Sequence, residues 1–274
     1  MRQQRSYSTE AIVLKRTDFG EADRILTLFT PARGKYSVIA KGTRRPVSKM
    51  AGHLELLSRS QLQVALGRNL DIVTQAEGRE NFLHLRHSLW HMTCGYYLAE
   101  LVNRFLEDQT PHRDVYVLLL DALRYLDADA DTLQKEQARG VALDMKREEG
   151  RTRLLLRYFE LRLLSAIGYE PALVNCAHCG AEIRPEENGF KASLGGILCP
   201  QCSRFWERRL SLNALKVLRY LQRSKWIEAV RLRPDAHLQD ELEVIMHSLL
   251  RFHLERDLKS WSFLEMLKTA KEPF

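Results

Sequence analysis

The sequence predicts an α+β protein, with a small closed β-barrel over residues 1–80 and an all-helical domain over 81–274 that carries a four-cysteine zinc-binding insertion at about 174–204. Three observations predict it. Short β-branched and apolar runs separated by turn residues fill the first third, the apolar period turns helical from about Asn81, and two Cys-x2-Cys pairs interrupt the last third.

The five strand runs are Thr9 to Lys15, Arg24 to Thr30, Tyr36 to Lys41, Leu54 to Ala65 and Leu70 to Thr74. Turn signals separate them at Asp18-Phe19-Gly20, Pro31 to Gly34, Gly42 to Pro46 and Gly67-Arg68-Asn69. Strands this short suit a closed barrel, because closure removes exposed edges. A five-stranded OB-type β-barrel is the leading expectation; an SH3-like barrel fits the strand count nearly as well.

Beyond Asn81, Leu85, Leu89, Met92, Tyr96 and Ala99 fall on one helical stripe, predicting one helix of about 25 residues. Thr110-Pro111 ends it, and Val115, Leu118, Leu119, Ala122 and Leu126 open the next. A further helix is expected within Leu133 to Glu149. Leu154 to Ile167 is apolar around most of its circumference and should form the central buried helix, stopped by Gly168. Ser211 and Asp235 are placed to cap a short and a long final helix, the latter with a Leu238, Leu242, Ile245, Leu249, His253 stripe.

The 274 residues include 42 Lys and Arg against 35 Asp and Glu, with 45% apolar and 28% charged residues. That excludes disordered, collagenous and disulfide-stapled classes. The first sixteen residues hold only Ala11-Ile12-Val13-Leu14 as an apolar run, short of a signal peptide, and no stretch approaches the ~20 apolar residues of a membrane span. A cytoplasmic protein that avoids the membrane is expected. Through Glu80 there are fourteen basic and eight acidic residues, so nearly all of the net +7 lies in the first third. A concentrated positive field favours polyanions, nucleic acid foremost.

Cys176, Cys179, Cys199 and Cys202 are the most specific chemical signal. Two residues between thiolates let each pair aim at one ion, and two pairs complete a tetrahedron with no open position, which reads as one structural Zn2+. A redox dithiol at Cys199-Pro-Gln-Cys202 would not need a second pair. A nucleobase deaminase would need H-x-E and P-C-x-x-C, and both are missing. Cys94 stands alone and reads as core.

Other clusters are weaker. His84, His87 and His91 share helical spacing without a glutamate in the H-E-x-x-H position. Asp127, Asp129 and Asp131 imitate a calcium loop, but Thr132 and Ala138 replace its glycine and glutamate, so a polar loop and helix cap is expected. Gly34-Lys35 is no phosphate loop, and no G-x-S-x-G elbow is present. The chain reads as a non-enzyme. Lys41, Arg44, Arg45 and Lys49 crowd a loop with Gly42 and Pro46, beside Tyr36 on a strand. Cations beside stackable aromatics suit nucleic acid, and a solvated charged turn is the alternative; Phe19 and Phe29 are further candidates for stacking, Phe29 more in keeping with the barrel core.

Gly20-Glu-Ala-Asp-Arg24, Gly34-Lys35, Ala40-Lys-Gly-Thr-Arg-Arg45, and Phe159-Glu-Leu-Arg-Leu-Leu-Ser-Ala-Ile-Gly-Tyr-Glu-Pro171 running into Cys176-Ala-His-Cys179-Gly180 together resemble the RecO family of bacterial recombination and repair mediators over essentially the whole chain. The resemblance implies an OB barrel, a helical domain and, where the four cysteines are kept, zinc. It also implies binding to single- and double-stranded DNA, annealing of complementary strands without nucleotide hydrolysis, and partnership with RecR and with the C-terminal tail of single-stranded-DNA-binding protein, at the nucleoid. By position it adds Arg24 and Lys35 to the DNA-binding set of Lys41, Arg44, Arg45 and Lys49. The Arg-rich stretch from Arg147 to Arg162 could rim a groove for the partner tail, or could simply be a solvated helix face. A zinc-ribbon RNA-binding or transcription factor is the alternative function.

Overall fold

A computed structural model describes residues 5–140, 145–204 and 209–269. The chain forms two compact units, one running to Lys135 and resuming at Ser260, the other spanning Glu136–Lys259.

Five strands, β1 (Ser6–Phe19), β2 (Asp23–Thr30), β3 (Gly34–Ala40), β4 (Arg59–Ala65) and β5 (Asp71–Glu80), close into a barrel in the order β1-β2-β3-β5-β4. This is the five-stranded OB-type arrangement, and it settles the barrel type that periodicity left open. The 14-residue β1 serves both neighbours: Ser6 to Ile12 pairs with β4, Ile12 to Phe19 with β2, and an irregularity between Val13 and Lys15 turns the corner. Closure rests on parallel pairing of β3 with β5 at Val38↔Asp71 and Ile39↔Ile72 alone. Inward residues alternate, as the two-residue period requires: Ala11 and Val13, Leu26 and Leu28, Tyr36 and Val38, Leu62 and Val64. Ile12 and Phe29 point the other way yet are also buried, because α2 packs on β1 and the Tyr116 ring lies 5.6 Å from that of Phe29. The fourth strand starts at Arg59 rather than Leu54; Ala51–His53 is a short 3-10 turn and Leu57 holds a positive φ of 67°.

The helix expected from Asn81 is two helices, α1 (Leu83–His87) and α2 (Leu89–Phe105). Ser88 is extended between them and caps α2 by accepting from the His91 N–H, so the cap defeats the continuous period. The buried face also differs: Trp90, Cys94, Tyr97, Leu98, Leu101 and Val102 are inside, whereas Leu89 is 52% exposed. Helix α3 (Arg113–Ala138) buries Val115, Leu119, Ala122 and Leu126 as the sequence indicates. The aspartates lie within α3 rather than in a loop: Asp127 Oδ1 accepts from the Leu85 N–H at 2.9 Å, and buried Asp129 meets His91 Nε2 at 3.1 Å. Helix α8 (Lys259–Thr269) is anchored to α2 by Ser260, whose N–H and Oγ donate to Glu100 at 2.9 and 2.6 Å.

The helix expected within 133–149 is shared between the end of α3 (to Ala138) and the start of α4 (Met145–Ala166), which also includes most of the expected central helix; residues 141–144 fall outside those described. Leu154 to Leu161 is continuously buried, and Gly168 at φ 83° ends the helix while the Tyr169 N–H reaches back to Leu164 O. A small sheet, β7-β6-β8, formed from β6 (Asn188–Lys191), β7 (Gly196–Leu198) and β8 (Arg209–Leu210), sits in the cysteine insertion. Then come α5 (Leu212–Arg223), α6 (Trp226–Ala229) and α7 (Ala236–Leu254), with Ser211 capping α5 and Asp235 capping α7. Among the described residues no helix is long and apolar enough to cross a membrane.

Candidate nucleic-acid interface and metal centre

The loop after β3 is laced to the turn between β1 and β2. Gly42, at φ 66°, donates its N–H to Asp23 Oδ1 at 2.8 Å, the Arg44 N–H donates to Ala22 O at 2.9 Å, and Thr43 Oγ1 donates to Ala40 O at 3.1 Å. Backbone bonds Arg45 N–H to Gly42 O and Ser48 N–H to Arg45 O then fold the tip into tight turns. The loop is therefore a fixed platform for its cations. Asp23, from the Gly20-Glu-Ala-Asp-Arg24 segment, and Asp18, from the turn signal before it, organise it.

The six cations divide into three classes. Lys35 is buried: its Nζ donates to Asn103 O at 2.7 Å and pairs with Asp108 at 3.1 Å, while its own carbonyl accepts from the Gln109 N–H. Gly34 beside it is obligatory, since a Cβ there would meet Thr110 O at 2.0 Å. The Gly34-Lys35 pair thus welds the barrel to the segment 108–110. Arg24 and Arg44 share Asp18, at 3.2 and 3.5 Å, Arg24 also approaching Glu55 at 3.8 Å and Arg44 donating to Gly20 O at 3.1 Å. Lys41, Arg45 and Lys49 are exposed and form no ion pair among the described residues. Between them Val47 is 85% exposed.

The aromatics are mostly spent. Tyr36 is buried in the barrel core with its OH at 3.3 Å from that of Tyr7, which donates to Asp71 at 2.8 Å, so Tyr36 offers no face to a base. Phe29 is fully buried, and Phe19 is 52% exposed. The Arg33 guanidinium covers the Tyr7 ring at 3.7 Å. Within the barrel Arg59 bonds Glu10 and Glu80, and α3 is tied to it through both carboxylates: Glu10 accepts from Tyr116 OH at 2.7 Å, and Arg124 grips Glu80 with two bonds of 2.8 Å. Burial pulls the Glu10 carboxyl up, but Arg59 and Tyr116 more than offset it; Arg124, then Arg59, hold Glu80 low.

The four cysteines come together as the spacing predicts, their sulfurs all within 4.8 Å of one another. Each pair forms a knuckle. Gly180, at φ 74°, returns its N–H to Cys176 O at 2.9 Å, and Ser203 returns its N–H to Cys199 O at 2.9 Å. A tetrahedron of 2.3 Å metal–sulfur bonds has edges of about 3.8 Å, and Cys179 Sγ lies 3.8 Å from Cys199 Sγ. The donor set fits a closed tetrahedral thiolate-binding ion. Burial opposes ionisation of Cys176, but N–H groups of Cys179, Cys199 and His178 aimed at its sulfur bring its pKa to about 6. Cys202, bonded by Cys179 and Cys199, is pushed up to about 12. Four thiolates at this spacing cannot all ionise without a cation among them. Cys94 is buried in the first unit, away from this cluster in sequence and role. Ile183, Phe190, Ile197 and Leu198 of the insertion are buried, as is Leu210 just beyond it.

Arg153, Arg157 and Arg162 of the Arg-rich stretch are engaged within the unit rather than forming a solvated face. Arg153 pairs with Asp240 and Glu243, Arg157 with Glu160 and Glu243 in the interior, and Arg162 donates to the Gln222 and Ser224 carbonyls. The side chain of Arg147 lies outside the described residues. His84 and His91 pair with Asp131 and Asp129, and the cysteines are the only metal-like cluster among the described residues.

Comparison with known proteins accords with this architecture. The family model for the Recombination protein O N terminal matches residues 1–82, and that for the Recombination protein O C terminal matches 86–139 and 141–262. "DNA repair protein RecO" of Roseiflexus sp. (strain RS-1) is 40% identical, covering 97% of this chain and 89% of the relative. Proteins of the same name from Dehalococcoides mccartyi (strain BAV1) and Symbiobacterium thermophilum are each 34% identical, over 96% and 97% of this chain and 97% and 99% of theirs.

Proposed function

This chain belongs to the Recombination protein O family, and on that premise we propose that it is a non-enzymatic mediator of DNA repair and homologous recombination. It binds single- and double-stranded DNA through the barrel of residues 1–80, anneals complementary strands, and acts with RecR and single-stranded-DNA-binding protein to load recombinase at gaps. The observation that carries the reading is the fixed loop after β3, where Lys41, Arg45 and Lys49 stand exposed without ion pairs among the described residues. Arg24 and Arg44 back them. Their pairs with Asp18 are solvent-facing, worth ~0–1 kcal/mol, so a phosphate can replace the carboxylate at little cost. Lys35 is left out of the interface, because its ammonium would have to abandon Asn103 O and Asp108.

Annealing needs no reacting side chain. Two strands repel through their phosphates, cations that hold both lower that barrier, and base pairing supplies the driving force. With base-stacking faces largely buried, the loop reads the backbone and not the sequence. The Cys176, Cys179, Cys199, Cys202 cage is proposed to hold one structural Zn2+, which braces the insertion and reacts with nothing. The partners RecR and the tail of single-stranded-DNA-binding protein rest on family membership. The setting is the cytoplasm, at the nucleoid.

The test is ATP-independent annealing of complementary oligonucleotides precoated with single-stranded-DNA-binding protein. Annealing faster than the protein-free rate, abolished in high salt, is expected. No acceleration on coated or bare strands would overturn the mediator, and a strong preference for one RNA or DNA sequence would favour a zinc-ribbon RNA-binding or transcription factor.

A further inference from the structure

We infer that the second unit carries its own phosphate-binding surface, on α5 and the turn into α6, able to hold a polynucleotide without the barrel loop. The inference rests on the DNA-binding reading above and adds a second site to it.

The signal is in the charge distribution. Residues 204–233 contain nine Lys and Arg against two Glu, a net +7 that equals that of the whole chain. It is hidden when the charge beyond Glu80 is summed, because residues 81–203 hold fourteen basic and seventeen acidic residues and residues 234–274 five and eight. The fold then sorts α5 cleanly. Ala214, Leu215, Leu218 and Leu221 are buried, while Lys216, Tyr220 and Arg223, at i, i+4 and i+7, form an exposed stripe on the opposite side. Lys225 continues it, and Arg231 and Arg233 follow α6, all exposed.

These cations differ from the arginines of α4 in one decisive respect. Arg153 and Arg157 are consumed by Asp240, Glu243 and Glu160, whereas Lys216, Arg223, Lys225, Arg231 and Arg233 form no ion pair among the described residues. The one described acid in the segment, Glu228, spends a carboxylate oxygen on the Lys225 N–H at 3.0 Å, closing the capping box of α6. An unneutralised row of cations held on a rigid helix costs self-repulsion, and a polyanion relieves it.

The chemistry of the stripe selects the polyanion. Tyr220 is 38% exposed between Lys216 and Arg223, so an aromatic face lies inside the cationic row, the combination that tracks a single strand by phosphate contact and stacking. An acidic peptide would be held by an apolar groove between charges, but the apolar side of α5 is already buried in the unit. Annealing gives such a surface a use, because two strands must be retained at once.

The experiment uses the full zinc-loaded chain. A loop variant, K41Q/R45Q/K49Q, is compared with the same variant carrying K216Q/R223Q/K225Q as well, by fluorescence anisotropy of a labelled thirty-nucleotide dT strand across a salt series. Circular dichroism and zinc content report folding. The loop variant is expected to keep residual binding with a clear salt slope, and the added substitutions should lower that slope by about 2, from ~0.7 per neutralised phosphate. Tyr220→Ala in the loop variant should weaken residual binding several-fold with the slope unchanged. The inference is overturned if the loop variant binds nothing, if its slope is the same with and without the helix substitutions, or if those substitutions abolish capture of an acidic nonapeptide while sparing the strand. Those results leave the barrel reading standing. A wild-type chain that binds no strand would sink both.

Discussion

Removing the three free cations of the barrel loop tests the interface most directly. Lys41, Arg45 and Lys49 are exposed and make no ion pair among the described residues, so neutralising them with Gln deletes phosphate contacts without unpairing a carboxylate. Each phosphate contact contributes ~0.7 to the log–log salt slope on single strands and ~0.9 on duplex. Three contacts therefore predict slopes shallower by about 2 and about 2.7. Extrapolated from 1 M salt, where the electrostatic part vanishes, to 0.1 M, a slope change of about 2 is a loss of about 100-fold in affinity for single strands. Anisotropy titrations at several salt concentrations measure both quantities. Lys35→Gln is the contrasting control: its ammonium is internal, so the slope should stay and stability should fall. A folded triple variant with wild-type slope, or a Lys35 variant with the larger slope change, would refute the sorting of these cations.

Lys35→Met should lower the unfolding free energy by about 1–3 kcal/mol, the cost of leaving a half-buried acceptor unmet, as read by urea denaturation of the full chain. Cys199→Ser should weaken ion binding and turn the spectrum of bound cobalt away from four-thiolate character, while oligonucleotide affinity changes less than twofold, since the cage touches no proposed contact. Arg157→Met removes a buried guanidinium that pairs with Glu160 and Glu243 and should cost about 3–5 kcal/mol, whereas a double change of Arg157 to Met and Glu160 to Leu should recover much of it. Glu10 and Glu80 are held below the ordinary carboxylate value of 4.5, so their contribution is complete above that pH and is lost as pH falls through their lowered values. Denaturation midpoints between pH 6 and 3 should drop below about pH 4.5, and more shallowly in Glu80→Gln.

The elements that could be read from the sequence are those whose signal is local. Strand periodicity gave the barrel, Ser211 and Asp235 marked their helices, and the cysteine spacing located the cage, because each depends on neighbours within a few residues. The misread elements depend on tertiary partners. Tyr36 looks like a base-stacking aromatic until the barrel closes over it, and Lys35 looks like a free cation until Asn103 and Asp108 arrive from the far end of α2. The stripe on α2 misled because that helix is covered on several sides, so its buried set has no single period. The arginines of α4 were unreadable as an internal network, since Glu243 and Asp240 lie some ninety positions away. The charge of 204–233 was local and legible; it vanished only through averaging with acidic flanks.

The narrow seam between β3 and β5 bears on how the protein is made. Val38 and Ile39 acquire their β5 partners only when Asp71 and Ile72 have left the ribosome, and β1 acquires β4 only shortly before, so the first three strands wait as an open meander with both borders unprotected. Two register pairs are little to search for and little to hold, and the barrel's last closure is therefore a late, long-range event in synthesis. Changes that slow translation between Ala40 and Asp71 prolong that open interval and should show as lower soluble yield in a chain whose finished fold is unaltered.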